Sequence, residues 1–413
     1  MKPMGPIPAD YQARDRRLLL GGRTAAELIA IAGDTPLFVY DVALVRARVA
    51  RFRAAFPSIA LHYAVKANPH RPLVAAMTGL VDGIDVASGG EAQLALGAGM
   101  AAGAISFAGP GKRDAELRTA IEAGITINLE SEGEANRALA IAREIDVTPC
   151  LAVRVNPDFD LKGSGMKMGG GAKPFGIDSD RAAALVDHVV AAGAHYRGLH
   201  IFAGSQALGV QAIVDAQASA LDLAARISRE AGVVPPLVNL GGGFGIPYFP
   251  GDIALDIETI GEKLEAALGA RDPILAGSAF ALELGRWLVG EAGVYLTRIV
   301  DRKISHGHTF LVVDGGMHHQ LAASGNFGTV VRRNYPLALA ARFGDAIEEE
   351  VSVVGCLCTP LDRLGDQIGL PVAKVGDVVA IFMAGAYGAS ASPQSFLGHA
   401  PPCELTIDGD RIL

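Results

Sequence analysis

The chain is poor in cysteine, lysine and aromatic side chains. Its four cysteines are too few in 413 residues to form a disulfide framework. Two of them, Cys356 and Cys358, form a C-x-C pair, but without a second cysteine pair this is weak support for zinc, so no metal is expected. The chain has only nine lysines against 27 arginines, so a lysine at the end of an apolar run stands out.

Charge and apolar runs exclude two further classes of protein. The net charge is −8, and no basic run is interleaved with aromatic residues, so nucleic-acid binding is not expected. No segment reaches about 18 consecutive apolar residues, the length that a membrane span requires. The N-terminal segment also lacks the apolar stretch of a signal peptide. The sequence therefore predicts a cytoplasmic protein without a membrane-spanning segment.

Between residues 45 and 285, short apolar runs alternate with helical patterns. Eight runs are strand candidates: 59–67, 83–88, 105–109, 126–130, 150–155, 196–202, 236–242 and 279–285. Strands separated by helices indicate βαβ units and a parallel sheet. Eight such units over about 240 residues predict an α/β fold of the (β/α)8 TIM-barrel type. A doubly wound sheet is the alternative architecture.

After residue 286 the pattern changes to β-rich runs with turns. These runs span 293–304, 309–316, 348–358, 376–385 and 403–413, and they predict a C-terminal all-β domain. An earlier run, TPLFVYD (35–41), is a further strand candidate that joins this second domain. The predicted organisation is an N-terminal segment 1–44 joining the β domain, a barrel 45–285 and a β domain 286–413.

Two motifs suggest chemistry from their residues alone. Lys66, in HYAVKANP, ends an apolar strand, where partial desolvation lowers the pKa of its amine and favours attack on an aldehyde. The alternative is a strand-end lysine that extends into solvent. Gly241, Gly242 and Gly243 follow another apolar strand, so their bare backbone amides can approach a phosphate. The alternative for the glycines is a flexible turn.

Motifs along nearly the whole chain resemble the fold-type III pyridoxal-phosphate (PLP) decarboxylases, the family of diaminopimelate and ornithine decarboxylases. They are, in order, HYAVKANP, GIDVASGGEAQLALGAGM, RVNP, KPFGID, GLHIFAGSQ, NLGGGFGIPY, ELGR, GCLCTPLD and GAYGASAS. The resemblance implies an alanine-racemase-like barrel with a C-terminal β domain, and PLP held as a Schiff base on Lys66. It further implies amino-acid decarboxylation by a homodimer with shared active sites.

The resemblance assigns the cofactor contacts to Lys66, Asp85, Arg154, His200, Ser205, Gly241, Gly242, Gly243, Glu283, Gly285, Arg286 and Tyr387. Glu283 would pair with the pyridine nitrogen and keep it protonated, so that the ring accepts electrons. Its alternative is an ion pair with Arg286. His200 would stack on the ring face, or it is a structural histidine of its strand. Asp85 and Arg154 would orient the lysine and the phenolic oxygen, with Glu91 in the same polar network.

Cys358 matches the family cysteine that donates a proton to the substrate carbon from the neighbouring subunit, with Asp362 as its companion. The C-x-x-x-D spacing favours Cys358 over Cys356, although both thiols lie on one face of the predicted strand. The alternative for Cys358 is a small buried apolar residue.

Substrate preference depends on Thr359, which stands where diaminopimelate decarboxylases have glutamate and ornithine decarboxylases have aspartate. A neutral side chain does not balance a distal ammonium, so neither substrate is expected. Arg286, Arg332, Tyr335, Asp362 and Tyr387 complete the predicted substrate contacts. The glycine-rich loop 162–176 is expected to be mobile, near the barrel mouth, and able to admit a large or carrier-bound substrate.

SGMKMGGG, HIFAGSQ, HHQLAASGNFG and SPQSFLGH further resemble a bacterial subgroup associated with exosortase and exopolysaccharide systems, for which a carrier-bound aminoacyl substrate is the hypothesis. One alternative is a racemase of the alanine-racemase type. Glu283 argues against it, since a strong electron sink promotes full carbanion formation. Another alternative is a PLP-binding or carrier-associated protein without catalysis.

Overall fold

The computed structural model describes residues 1–325 and 332–413. Residues 326–331, which include part of the HHQLAASGNFG motif, lie outside the described residues. The chain forms two compact units. The β unit comprises Met1–Arg48, Ile246–Ile253 and Arg286–Leu413, and the barrel unit comprises Val49–Gly245 and Ala254–Gly285. Among the described residues, no helix has the length and apolar character needed to span a membrane.

The barrel unit is built on a closed ring of parallel strands. In the described part of the chain these are Ile59–Ala64, Gly83–Val86, Ile105–Phe107, Thr126–Leu129, Cys150–Asn156, His195–Ile201, Leu237–Gly242 and Ala279–Leu284. The ring closes because Ala279–Leu284 pairs with Ile59–Ala64 and Thr126–Leu129 pairs with Cys150–Asn156. The predicted barrel is confirmed, and the doubly wound alternative is wrong, because a doubly wound sheet stays open.

Helices alternate with the barrel strands, as the sequence pattern predicts, and the first of them precedes the strand Ile59–Ala64. They are Val42–Ala55, Arg71–Met77, Gly89–Gly97, Asp114–Ala123, Glu132–Glu144, Ala182–Ala191, Val210–Ala231 and Ile257–Gly269. Side-chain caps fix where several begin: Ser88 accepts a hydrogen bond from the backbone N–H of Glu91, and Ser131 accepts one from Glu134. The ends of the preceding strands, which carry the candidate site residues, are therefore held close to well-defined helix starts.

The β unit contains a large sheet with the N-terminal strand Leu37–Asp41 in it. The sheet order is Arg363–Leu370, Glu349–Val354, His308–Val313, Gly293–Ser305, Leu37–Asp41, Cys403–Asp408 and Arg411–Ile412, with Val378–Ile381 joining Gly293–Ser305 to Leu337–Leu339. Leu37–Asp41 is wholly buried and pairs with Gly293–Ser305 on one side and Cys403–Asp408 on the other. The predicted strand 35–41 thus ties the N-terminal segment to the C-terminal strands.

The remaining elements of the β unit are small. Gln12–Arg14, Arg17–Leu20 and Arg23–Thr24 form an antiparallel sheet, and the α-helices are Ala25–Ala32 and Arg286–Val289. Thr24 and Glu27 form a capping box at the start of Ala25–Ala32, each side chain accepting a hydrogen bond from the other's backbone N–H.

Candidate active site

Lys66 lies in a 3-10 turn, Val65–Ala67, directly after the barrel strand Ile59–Ala64. Its side chain is 44% exposed, although both neighbours in the turn are buried. The Nζ atom lies 3.5 Å from Oε1 of Glu283 and 5.4 Å from the centre of the Phe202 ring. The amine is therefore accessible at the carboxyl end of the barrel, where barrel enzymes carry their active sites.

Gly285 allows the turn with Lys66 to pack against the end of the strand Ala279–Leu284. A Cβ atom on Gly285 would lie 2.7 Å from the Cβ of Ala67 and 3.1 Å from the carbonyl oxygen of Ala64. Such contacts require the backbone to move. Because Gly285 has no side chain, the turn Val65–Ala67, which carries Lys66, can pack closely against it.

Glu283 is buried between two cationic or hydrogen-bonding partners. Its Oε2 atom lies 2.9 Å from Nε2 of His200, and its Oε1 atom faces Lys66. Burial acts to raise the pKa of Glu283, but the charge of Lys66 and the hydrogen bond from His200 outweigh burial and hold the pKa well below its usual range. Glu283 is consequently a carboxylate at neutral pH. The alternative pairing of Glu283 with Arg286 is not observed.

The second ring nitrogen of His200, Nδ1, is buried and has no hydrogen-bond partner among the described residues. The histidine itself is 2% exposed at the end of the strand His195–Ile201. Buried polar atoms in folded proteins nearly always have a partner, so an orphaned ring nitrogen beside an accessible amine is a feature that a bound ligand would explain.

The backbone of the glycine triplet requires three residues without side chains. Gly241 and Gly243 have φ values of +68° and +85°, in the left-handed region that favours glycine. A Cβ on Gly241 would lie 2.6 Å from the Phe202 ring, and a Cβ on Gly242 would overlap the carbonyl oxygen of Glu283. The triplet therefore lies directly beside the residues that surround the amine of Lys66.

Ser205 is brought to the same region by Gly204. A Cβ on Gly243 would overlap the carbonyl oxygen of Gly204, so the serine's strand and the glycine triplet approach closely. Gly204–Ser205 pairs with Met166–Lys167 in a short antiparallel ladder. This ladder lies within the glycine-rich loop 162–176.

Two residues of the predicted polar network, Arg154 and Asp85, have separate partners: Arg154 pairs with Glu130, and Asp85 pairs with His62. Arg154 donates from Nη1 to Oε1 of Glu130 at 2.8 Å, and its guanidinium lies 5.4 Å from the Phe175 ring centre. Glu130 also accepts from the backbone N–H of Gly176 at 2.9 Å. Burial acts to raise the pKa of Glu130, but the charges of Arg154 and Lys112 outweigh it and lower the pKa. Glu130 therefore holds both the arginine and the end of the glycine-rich loop.

Asp85 pairs with His62 inside the barrel, with Nδ1 of His62 3.3 Å from its Oδ2. Burial acts to lower the pKa of His62, but Asp85 outweighs it and raises the pKa. Glu91 accepts a hydrogen bond from the backbone N–H of Ala87 at 2.7 Å. Burial raises the pKa of Glu91, against the opposing charge of Lys66.

Sequence reasoning missed His62, Glu130 and Phe202. The signal was present: His62 lies within HYAVKANP, Glu130 ends a predicted strand, and Phe202 follows His200 by two residues. Their partners come from other strands of the barrel, so pairing was visible only in the fold.

In the β unit, Arg286 is surrounded by tyrosines. Its Nη1 donates to Oη of Tyr248 at 2.9 Å, and its guanidinium lies 4.6 Å from the ring centre of Tyr387. Tyr387 has a φ of +53°, an uncommon backbone conformation for a residue with a side chain. The buried Tyr335 ring lies 4.9 Å from the Tyr248 ring. Tyr248 is a further member of this group that the sequence did not reveal.

The loop 355–362 carries the cysteine pair. Cys358 is exposed, whereas Cys356 is half-buried and burial, with the charge of Asp362, raises its pKa to about 11. Asp362 is buried and accepts hydrogen bonds from the backbone N–H groups of Met317 (2.6 Å) and Leu357 (2.9 Å). Because its carboxylate binds Leu357 within the loop and Met317 outside it, Asp362 fixes the loop to the segment that contains Met317.

Thr359 and Arg332 lie in the same part of the β unit. Thr359 is half-buried and its hydroxyl accepts a hydrogen bond from the backbone N–H of Leu361 at 3.4 Å. Arg332 donates to the carbonyl oxygen of Leu361 at 3.2 Å. Its neighbour Arg333 lies 3.8 Å above the Phe249 ring. The two adjacent arginines therefore have different environments.

At the carboxyl end of the (β/α)8 barrel, an accessible lysine faces a buried carboxylate and lies beside a glycine loop that can approach a phosphate. This arrangement is typical of barrel enzymes that attach an aldehyde cofactor. The sequence profile of the family described as "Pyridoxal-dependent decarboxylase, pyridoxal binding domain" matches residues 42–290. The chain belongs to this family of PLP-dependent decarboxylases. The racemase alternative finds no support in these similarities.

Named relatives agree with the family over almost their full lengths. The chain is 37% identical to the L-glutamyl-[BtrI acyl-carrier protein] decarboxylase of Niallia circulans, covering 92% of this chain and 91% of that protein. It is 32% identical to a diaminopimelate decarboxylase of Methanothermobacter thermautotrophicus, covering 98% and 94%. The crystal structure of diaminopimelate decarboxylase from M. jannaschii matches with a TM-score of 0.87 at 26% identity, covering 98% and 94%.

PLP fits the residues of the barrel unit. The accessible amine of Lys66 suits an aldehyde, and the glycine triplet leaves backbone space for a phosphate. Across the part of the chain that the structure describes, Nδ1 of His200 has no other polar partner. The chain is a PLP-dependent amino-acid decarboxylase.

Proposed function

We propose that this enzyme removes the α-carboxylate of an amino acid whose distal end is joined through an uncharged acyl linkage to a carrier protein or a comparably large group. The observation that carries the substrate proposal is the neutral Thr359 in the loop fastened by Asp362. Loss of an α-carboxylate requires that this carboxylate and the α-amine are free, so a carrier must be joined through the distal group. A distal thioester, ester or amide is uncharged and matches a neutral side chain.

Two relatives support a substrate whose distal end is held in an uncharged acyl linkage. The N. circulans relative is named for a glutamyl group on an acyl-carrier protein. A second relative, from Staphylococcus aureus, is 29% identical over 88% of this chain, and is named as the 2-[(L-alanin-3-ylcarbamoyl)methyl]-2-hydroxybutanedioate decarboxylase. In that name the distal end of the alanine unit is joined through a carbamoyl group. Both substrates therefore lack a free distal ammonium.

Within the barrel unit, Lys66 is the group that attaches the cofactor. When bound, PLP supplies an aldehyde that joins the substrate amine and a ring that accepts the electrons released as CO2 leaves. Glu283, ionised at neutral pH, would keep a proton at the ring nitrogen, and His200 would lie against the ring. The glycine triplet and Ser205 would hold the phosphate. Arg154, whose Nη1 donates to Glu130, would contact the phenolic oxygen.

Cys358 is proposed as the proton donor to the substrate carbon, acting from the neighbouring subunit of a homodimer as the family resemblance implies. Its exposure is consistent with a thiol that meets a partner's site. Arg286, Arg332, Tyr335 and Tyr387 are proposed contacts of the cofactor phosphate or the substrate. A cytoplasmic location and the functional division at residues 44 and 285 are part of the same proposal.

The substrate proposal is tested by measuring CO2 release from a matched set of compounds. The set contains ornithine, diaminopimelate, free glutamate, glutamine, and glutamate joined through its distal carboxyl to a carrier protein. We expect kcat/KM for the carrier-linked compound to exceed that for ornithine and diaminopimelate by at least about a hundredfold, equivalent to about 2.7 kcal/mol. Faster turnover of either diamine would refute the proposal.

The attachment role of Lys66 is tested by borohydride reduction followed by peptide mapping. Wild-type protein should retain the cofactor covalently on the peptide containing Lys66, and Lys66→Ala should not. Lys263→Ala is the matched control, because this lysine is exposed on the helix Ile257–Gly269. Retention of the covalent cofactor by Lys66→Ala would show that another amine is used.

A further inference from the structure

Three side chains from distant parts of the sequence converge in the β unit. One candidate ligand atom from each of His318, Cys356 and His399 lies within 4.8 Å of the others. The Sγ atom of Cys356 is 3.9 Å from both ring nitrogens of His399. The ring centres of His318 and His399 are 4.9 Å apart. We refer to these residues as the His-Cys-His cluster.

His318 points independently to a missing ligand. It is 0% exposed, yet neither of its ring nitrogens has a hydrogen-bond partner among residues 1–325 and 332–413. Its neighbour His319, by contrast, is hydrogen-bonded through both nitrogens, to Tyr295 and to the carbonyl oxygen of Ala400. An imidazole with two unpaired nitrogens is costly to bury.

We propose that His318, Cys356 and His399 bind a zinc ion at a site separate from the PLP site. Two imidazoles and a thiolate are ligands that suit zinc, whereas magnesium and calcium prefer oxygen ligands. Tetrahedral coordination with ordinary zinc–ligand bond lengths places sulfur and nitrogen about 3.6 Å apart. The observed separation of 3.9 Å between Cys356 and His399 is close to this value, and the three ligand atoms, which lie within 4.8 Å of one another, must move closer together on binding. Water or another ligand completes the fourth position.

The surroundings favour a cation. The buried carboxylate of Asp362 acts electrostatically on both Cys356 and His399. Its oxygens are occupied by the N–H groups of Met317 and Leu357, so it contributes negative charge while fastening the chain on either side of the cluster. On binding, the Cys356 thiol loses its proton to solvent, and no oxidant or reductant is involved.

A metal at this cluster would connect three segments of the β unit. His318 follows the strand His308–Val313, Cys356 follows Glu349–Val354, and His399 follows the turn Phe396–Gly398. Cys356 is two residues before Cys358, so zinc would fix the loop that carries the proposed proton donor. The cluster therefore gives the two thiols different tasks, whereas the sequence, which predicted no metal, left open which one is functional.

The experiment is metal binding to the purified PLP-loaded enzyme after removal of metals with a chelator under reducing conditions. Zinc is titrated against a chromophoric chelator, and cobalt is then used as a spectroscopic probe. We expect one high-affinity equivalent per chain and a near-ultraviolet thiolate-to-cobalt charge-transfer band. Cys356→Ser should abolish the band, and His399→Ala should weaken zinc binding at least about tenfold, the scale of effect seen when a supporting group is removed.

Matched controls separate this cluster from other thiols and imidazoles. Cys403→Ser and His306→Ala change an exposed cysteine and an exposed histidine, and both should bind zinc as the wild type does. Cys358→Ser should also retain the cobalt band. Loss of the band in Cys358→Ser but not in Cys356→Ser would overturn the assignment, as would wild-type protein that binds no zinc.

Folding is monitored separately by the cofactor spectrum and by thermal unfolding without metal. Zinc should raise the melting temperature of the wild type, and at the same zinc concentration it should raise those of Cys356→Ser and His399→Ala less. Since His399 is exposed, its variant remains a test if Cys356→Ser does not fold. Equal zinc stabilisation of wild type and His399→Ala would refute the proposal. These measurements do not depend on the substrate, so their outcome is independent of the outcome of the tests of the proposed function.

Discussion

Replacing Glu283 with glutamine is the most direct test of the electrostatics at the barrel mouth. The carboxylate is 7% exposed and is held ionised by Lys66 and His200. Glutamine has nearly the same shape but no charge, so it cannot stabilise a proton on the cofactor nitrogen. It also breaks the charged character of the hydrogen bond to His200, which measures 2.9 Å. The substitution therefore removes charge while it preserves volume.

The size of the effect follows from the burial of the pair. A hydrogen bond to a charged group contributes about 1.5–3 kcal/mol. If that contribution stabilises the transition state, its loss lowers kcat by about tenfold to more than a hundredfold. Since the ring also loses its electron sink, we expect the larger value. KM should change less, because Glu283 is proposed to contact the cofactor rather than the substrate.

Three measurements decide the outcome: single-substrate kinetics of CO2 release, the absorbance spectrum of the bound cofactor, and its pH dependence. In Glu283→Gln the spectrum should report loss of the ring-nitrogen proton. Glu283→Asp keeps the charge and should recover part of kcat. Glu258→Gln, a matched change at an exposed glutamate paired with Arg51, should behave as wild type. Unchanged kcat and an unchanged spectrum in Glu283→Gln would refute the assignment of Glu283.

Further substitutions test the packing, the internal ion pair and the substrate loop. Gly285→Ala should destabilise the fold by about 1–3 kcal/mol, measured by denaturant unfolding, and reduce cofactor occupancy, because its Cβ meets Ala67 at 2.7 Å; unaltered occupancy would contradict the role given to this glycine. Because the pKa of His62 is raised in the folded state, its pairing with Asp85 contributes its full stabilisation below pH 6.5, the unfolded-state pKa. That stabilisation is lost as pH rises through the folded-state pKa. Unfolding free energies of His62→Asn should lack that decline, and an identical pH profile would rule the linkage out. Thr359→Glu should increase kcat/KM for ornithine or diaminopimelate at least about tenfold relative to carrier-linked glutamate, about 1.4 kcal/mol of changed preference; no change in this ratio would show that Thr359 does not face the distal group.

The sequence predicted the elements of the barrel because each strand is a short apolar run followed by a helix with recognisable caps. It also placed Lys66 and Glu283 at strand ends, and parallel strands bring such ends to one edge of a barrel. The contacts among these residues were not predictable in detail. His200 bonds to Glu283 because their strands are brought into one ring, and no local pattern encodes that distance.

Other features depended on pairing between segments that are far apart. The glycine-rich pattern of the loop 162–176 did not predict that Met166–Lys167 pairs with Gly204–Ser205 or that Gly176 donates a hydrogen bond to Glu130. Glycine lowers the local preference for helix or strand, and the hydrogen-bond partners of this loop lie in distant segments of the chain. Similarly, the pairing of Asp85 with His62 joins two strands of the barrel and is not encoded in either segment alone.

The cysteine pair shows how one loop can serve two purposes without conflict. Only Leu357 separates Cys356 from Cys358, and Asp362 accepts hydrogen bonds from the backbone N–H groups of Leu357 and Met317. Cys356 is half-buried with a pKa raised to about 11, so in the absence of a metal it is a poor proton donor or nucleophile at neutral pH. Cys358 is exposed and has the spacing to Asp362 that the family resemblance requires. A single substitution at each position should therefore separate the tasks: Cys358→Ser should slow protonation of the product carbon while zinc binding persists, and Cys356→Ser should abolish the cobalt band while the covalent cofactor on Lys66 persists. If both variants lost the same property, the two thiols would form one site, and the division of roles between them would be wrong.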